Sequence, residues 1–296
     1  MLKQFKGIKW VKGNPYYLLF DINKKKLEYV LVSGTVDITL CDKKRCNGYY
    51  DLIGRKYVQC PNFFNDQSKF VKQCEVCINK SGFSNCLGCT GFSCQSKNKV
   101  AREFCNQSHI VYIAIFGNNK FKVGTAAEYR KFARILEQGA VASMFIALTP
   151  NGKIARLIEH TISEYDFVLQ VSSKYKINNL IIDKTSDEIN ELLLKKYELI
   201  KNKLPVSLKK YLLKPKINYF EDINEINKKL FLNKYNQISL FDNTSINEYN
   251  INYYLTFDHV YGIIQNIVGG IIIVEKDGNY NAYDFKKIEG CIIDFK

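Results

Sequence analysis

Apolar and polar residues alternate along both ends of the chain and follow longer periods in its middle. Tyr16-Tyr17-Leu18-Leu19-Phe20 and the stretch Leu27 to Leu40 are rich in β-branched and aromatic residues, with Asn23-Lys24-Lys25-Lys26 as a turn between them. Residues 1–40 therefore read as strands. Alternation returns from Tyr253 to Phe295 and predicts several short strands, with Gly269-Gly270 as a bulge or turn. The similar character of the two β regions leads us to expect that they pack together as one small barrel or sandwich. Between them, Ile110 to Phe116 is a strand, Gly117-Asn118-Asn119 a hairpin turn and Lys120 to Gly124 a second strand. A helix then starts at Thr125 or Ala126, carries Phe132, Ile135 and Leu136 on one face, and ends at Gly139. Val141 to Leu148 is a third strand. Thr149-Pro150-Asn151-Gly152 turns into a helix that buries Ile154, Leu157, Ile158 and Ile162. A longer helix is predicted from Ser186, as its N-cap, to Lys203. Pro205 and Pro215 bracket a connection, followed by a helical segment around Glu221 to Leu232.

From Cys41 to Cys105 periodicity vanishes, and short polar loops carry nine of the ten cysteines. Such a segment is organised by ligands in place of a core it cannot build. The expected fold class is α+β in four parts: an N-terminal β region (1–40), a cysteine-rich module (41–107), an α+β module (108–204), and a helical connection with a C-terminal β region (205–296).

Composition narrows the function classes. A hydrophobic fraction of 46% in 296 residues supports real cores and excludes global disorder. The net charge of +14 is concentrated at the front, where residues 1–110 hold 18 Lys and Arg against 8 Asp and Glu. That surface suits a phosphate backbone or an acidic partner, although a solvated lysine-rich face explains the same count. The first residues carry charge but no apolar run of signal-peptide length. The apolar stretch Ile263 to Val274 is interrupted and too short to cross a bilayer. A cytoplasmic protein with reduced thiols and no membrane partner is expected.

Cys74/Cys77 and Cys86/Cys89 are Cys-x-x-Cys pairs, a spacing that presents two sulfurs to one zinc ion. These two pairs could close one site, with Cys94 as a competing partner. Cys41 and Cys46, with Cys60 and Cys105 or His109, would furnish a second. Nine cysteines are one more than two tetrahedral sites need, so spacing leaves the pairing open. An iron–sulfur cluster uses the same ligands and ranks behind zinc. With sulfur at every position, no vacancy remains for water, so the metal's role is structural. His109, His160 and His259 lie on separate segments and form no triad, and His160 reads as a surface group. No glycine-rich phosphate loop of the P-loop or dinucleotide type occurs.

Ile110-Val111-Tyr112, Lys122-Val123-Gly124, Arg134 on the next helix and Glu159 on the one after it resemble a divergent GIY-YIG nuclease module. The wider pattern adds the cysteines, Val-Tyr-Ile-Ala and Arg134-x-x-x-Gln138-Gly139-Ala140. It resembles an uncharacterised prokaryotic family, domain of unknown function 2797, over nearly the whole chain. The nuclease likeness implies a β-β-α-β-α module that cleaves phosphodiesters with a divalent cation. It makes Tyr112 the base or water-orienting group and Glu159 the holder of a single Mg²⁺ or Mn²⁺. Arg134 would contact the phosphate through its planar fork, and Gly124 would let the backbone turn close to substrate. Lys122 stands where the module's second motif carries tyrosine; it can bind phosphate but cannot share a phenolic proton relay. The implied partner is nucleic acid, DNA or RNA, gripped by the basic cysteine-rich module. The alternative is a non-catalytic nucleic-acid-binding or adaptor protein on the same scaffold.

Overall fold

A computed structural model describes residues 1–63, 72–82, 86–165, 167–180, 182, 184–219 and 251–296. The helical segment expected around 221–232 lies outside the described residues. Four strands open the chain: β1 (Leu2–Val11), β2 (Asn14–Asp21), β3 (Lys26–Leu31) and β4 (Thr35–Lys44). A short hairpin, β5 (Tyr49–Asp51) and β6 (Lys56–Val58), leads to the small helices α1 (Glu75–Ser81) and α2 (Lys99–Cys105). The next elements are β7 (His109–Phe116), β8 (Lys120–Ala127), α3 (Lys131–Gln138), β9 (Ala142–Thr149) and α4 (Gly152–Ser163). Then come α5 (Ser173–Asn178), α6 (Ser186–Lys203), α7 (Val206–Lys209) and β10 (Ile217–Tyr219). The chain closes with β11 (Asn252–Tyr254), β12 (His259–Val268), β13 (Ile271–Lys276), β14 (Asn279–Asp284) and β15 (Cys291–Phe295).

The two terminal β regions do join, as one nine-stranded sheet in the order β11-β14-β13-β12-β4-β15-β1-β2-β3, not as a small barrel or sandwich. β15 inserts between β1 and β4, pairing Lys3 with Ile293 and Leu40 with Ile293 on its two sides. The strand-like stretch from Leu27 to Leu40 forms two strands. It breaks at residues 32–34, and the second piece runs on through Cys41 to Lys44. Phe5, Leu19, Ile38, Ile272, Phe285 and Ile293 build the core of this sheet. Each such side chain contributes about 1.5–3 kcal/mol on burial.

The second body has the expected order of hairpin, helix, strand and helix, on a sheet ordered β10-β9-β7-β8. β7 is buried at every position. Val111, Ile113 and Ile115 enter a core with Ile158 of α4 and Leu193 of α6. The alternate residues Tyr112, Ala114 and Phe116 face the other way, onto Ile135 and Ala140. The helix expected at Thr125 or Ala126 starts later. Ala126 and Ala127 pair with Ile110 and His109 in the ladder, and a 3-10 turn at Glu128–Arg130 precedes α3. Within α3 only Ile135 is buried, while Phe132 is 51% exposed. α6 is capped by Thr185 in a reciprocal capping box with Glu188, one residue before the expected Ser186. Gly269-Gly270 form the turn between β12 and β13. Among the described residues, no helix is long and apolar enough to cross a membrane.

Candidate metal centre and arginine cleft

Four cysteines meet behind the large sheet. The sulfurs of Cys46, Cys60, Cys74 and Cys77 all lie within 4.8 Å of one another, the one such group among the described residues. The β5–β6 hairpin folds back on itself, so Cys46 before it and Cys60 after it arrive at the same end. Cys74 caps α1 and Cys77 sits one turn in. Cys60 and Cys74 Sγ are 3.7 Å apart, too far for a disulfide. An ion about 2.3 Å from four tetrahedral sulfurs holds them about 3.8 Å apart, which matches that separation. The residues present therefore fit a zinc-like cation.

The surroundings are built for thiolates. Cys46 Sγ accepts backbone N–H bonds from Gly48 at 3.4 Å and from Cys74 at 3.1 Å. Gly48 has φ 70°, and a Cβ there would fall 2.0 Å from the Val58 carbonyl, so only glycine completes this turn. Gln4 on β1 donates to the carbonyls of Arg45 at 2.9 Å and Cys46 at 3.2 Å, tying the turn to the sheet. Beside it Lys6 is buried; it donates to the Asn47 carbonyl and to Gln59 Oε1. Burial pushes its amine down to about 8, while Cys46, Cys60 and Cys77 pull it up. A divalent ion on four thiolates carries two net negative charges, and Lys6 offsets one of them. Burial pushes the Cys60 and Cys77 thiols up, so binding an ion displaces protons. Phe20, Phe63 and Ile292 close the apolar side.

This grouping corrects the expected pairings. Cys74 and Cys77 join Cys46 and Cys60, not Cys86 and Cys89. Cys41, on β4, packs beside the cluster without entering it. Cys86, Cys89, Cys94 and Cys105 lie together elsewhere, around a cavity of about 230 Å³. His109 stands outside the first group but lines one cavity with Cys86, Cys89 and Cys105, and a Cβ on Gly152 would fall 3.1 Å from its Nε2 and 3.2 Å from Cys105 Sγ. Its Nδ1 lies 2.8 Å from the Gln107 carbonyl, and burial lowers its pKa, so the ring is neutral near pH 7. His160 is half-buried against the edge of Phe92, with ring centroids 5.6 Å apart, and is not a free surface group.

Tyr112, Lys122, Arg134 and Glu159 come from β7, β8, α3 and α4 and converge. Arg134 and Glu159 both act on the Tyr112 phenol and on the Lys122 amine. Tyr112 is fully buried, its ring lies over Gly124, and its hydroxyl has no hydrogen-bond partner. A Cβ at Gly124 would fall 2.4 Å from that hydroxyl, so here glycine supplies space, not an unusual backbone conformation. Burial pushes the phenol up, and Arg134 approaches it without reaching hydrogen-bonding geometry. Lys122 donates to the Leu169 carbonyl, and burial, then the Arg134 charge, push it down to about 8. The ion pair open to Arg134 and Glu159 as neighbours does not form. Glu159 Oε2 is held by Arg156 at 2.7 Å, and Arg134 lies 3.9 Å from Glu137.

Beside this cluster opens a cleft of about 200 Å³. Its lining includes Arg130, Arg134 and Arg156 together with Cys86, Cys89, Cys105 and His109. Sequence reasoning missed Arg130, Arg156, Gln4 and Lys6. Arg156 had one legible signal, its position three residues before Glu159 on an amphipathic helix. Three guanidinium groups give the cleft a cationic lining suited to anions, with Arg130 bonded to both Glu137 oxygens and Arg156 to Glu159.

Comparison with known families gives a match to a model described as protein of unknown function (DUF2797) over residues 34–219, more than half of the chain. No curated protein and no solved structure matches.

Proposed function

The chain belongs to the DUF2797 family, and from that premise we propose a cytoplasmic nucleic-acid-processing protein that cleaves phosphodiesters with a divalent cation. The observation that carries this reading is the meeting of Tyr112, Lys122, Arg134 and Glu159 from four elements, beside a cleft walled by Arg130, Arg134 and Arg156. It supports reading this body as a divergent GIY-YIG-like module. The cleft arginines hold the DNA or RNA backbone, and Arg134 faces the charge that develops on the scissile phosphate. Glu159 is the acid that would hold Mg²⁺ or Mn²⁺. One of its oxygens is taken by Arg156, and a single carboxylate with waters and phosphate oxygens suits such ions. The cation would supply Lewis-acid stabilisation of the phosphate. Because burial keeps Tyr112 protonated near neutral pH, it orients the attacking water, and Lys122 is the nearby group able to take up a proton near pH 8. The four-thiol centre is a structural zinc site that fixes the basic module beside the cleft.

A second reading is a non-catalytic nucleic-acid-binding or adaptor protein. Tyr112 has no exposed surface, Glu159 is paired, and of the four candidate side chains only Arg134 lines the open cleft. Incubation of supercoiled DNA and of labelled RNA hairpins with Mg²⁺ or Mn²⁺ separates the two. Cleavage by the wild type that falls at least about 100-fold in Glu159→Gln, with affinity held within threefold, supports the enzyme. Binding without cleavage in either protein supports the adaptor, and absence of binding removes both.

A further inference from the structure

Four of the six thiols left over by the first cluster are not scattered. Cys86, Cys89, Cys94 and Cys105 line one cavity, with Arg102 and Lys153 at its edge. We propose that these four thiols form a second metal centre that takes zinc, at the junction of the 86–96 loop, α2 and α4. Cys86 and Cys89 form a Cys-x-x-Cys turn closed by the Cys89 N–H on the Cys86 carbonyl at 3.3 Å. Cys105, the last residue of α2, meets the N-terminus of α4, where a Cβ on Gly152 would fall 3.2 Å from its sulfur. Cys86, Cys89 and Cys94 all act on the Cys105 thiol, which places the four sulfurs in one neighbourhood.

Charge and packing point the same way. A zinc ion on four thiolates carries two negative charges. Arg156 acts on Cys86, and Arg102 and Lys153 line the cavity, the counterpart of Lys6 at the first centre. Within the described part of the 86–98 loop, only Gly91 and Ser96 are buried. A Cβ on Gly91 would fall 2.4 Å from the Leu157 amide, so the loop presses on α4 without an apolar core of its own. Ligand bonds are what can hold such a segment. The sulfurs stand wider than those of the first cluster, and binding draws them inward. Since Cys86, Cys89 and Cys105 also wall the arginine cleft, this metal would set the cleft's width. The assignment does not depend on whether the cleft cleaves phosphodiesters.

Metal analysis and chelator competition on the full chain test it. Two zinc ions per chain are expected in the wild type, one in Cys86→Ser/Cys105→Ser, and two in Cys41→Ser. Cys94→Ser, at an exposed position, should release one ion to chelator at least about 100-fold more readily than wild type. In cobalt-substituted protein, the thiolate charge-transfer intensity should fall by half in the double variant. A single zinc in the wild type, two ions retained tightly by Cys94→Ser, or iron with acid-labile sulfide would each overturn the proposal. If the double variant fails to fold, wild-type stoichiometry and Cys94→Ser still decide.

Discussion

Two clusters of four chemistry-bearing side chains form in this protein, and they are finished to different degrees. Around Cys46, Cys60, Cys74 and Cys77 the neighbouring polar groups are matched: backbone N–H groups meet sulfur, Gln4 meets carbonyls, and Lys6 sits beside the sulfurs. Around Tyr112, Lys122, Arg134 and Glu159 they are matched only in part. The buried Tyr112 hydroxyl has no partner, whereas the Lys122 amine, like Lys6, is buried, lowered to about 8 and bonded to a carbonyl. A site that stabilises a fold satisfies its own groups, because each buried unsatisfied one costs about 1–3 kcal/mol. A hydroxyl left unsatisfied beside a cleft is poised for something that arrives.

The comparison breaks most visibly at the first cluster. Cys46→Ser with Cys77→Ser should remove one zinc and melt the segment from Arg45 to Ser81, because a structural zinc contributes about 10–16 kcal/mol in small modules. Hydrogen exchange on α1 and the β5–β6 hairpin measures this, and unchanged protection would mean that the sulfurs do not hold the segment.

The second cluster responds to pH. The folded Lys122 amine loses its proton near 8, whereas the unfolded one keeps it to about 10.5. Below pH 8 both states are charged and the burial cost stands in full. As pH rises from 8 to 10.5 the unfolded chain binds more protons, so Lys122 adds stability, up to about 3 kcal/mol. Lys122→Met should remove that rise when urea midpoints are compared at pH 7 and pH 10. Identical pH dependence in both proteins would deny the buried amine. The smallest effect sharpens the contrast most. Tyr112→Phe deletes the orphan hydroxyl and should raise stability by about 1–2 kcal/mol while weakening cleavage. Thermal melts and the nicking assay test it together; a loss of stability would make the phenol a structural group.

Much of the second body was legible. β7 is an unbroken apolar run, α4 has a clear helical period, and both follow from local pattern. The end of β8 was not, because Ala126 and Ala127 follow the ladder partners Ile110 and His109 against their own helix propensity. The thiol pairing was hidden for a similar reason. Cys46 and Cys60 are joined by a hairpin of modest sequence signal, and only Gly48, two residues after Cys46, hinted at a turn around sulfur.

The sequence alone determined which residue types were available: nine thiols in one segment, a basic front, and a phenol, amine, guanidinium and carboxylate at helix and strand spacing. Tertiary structure decided which sulfurs lie close enough to hold one ion, which groups lie buried without partners, and that the first and last strands make one sheet. Periodicity is a local property, set by neighbours three or four residues away. Coordination, burial and strand order depend on chain closures over tens to hundreds of residues, whose entropy no local pattern records.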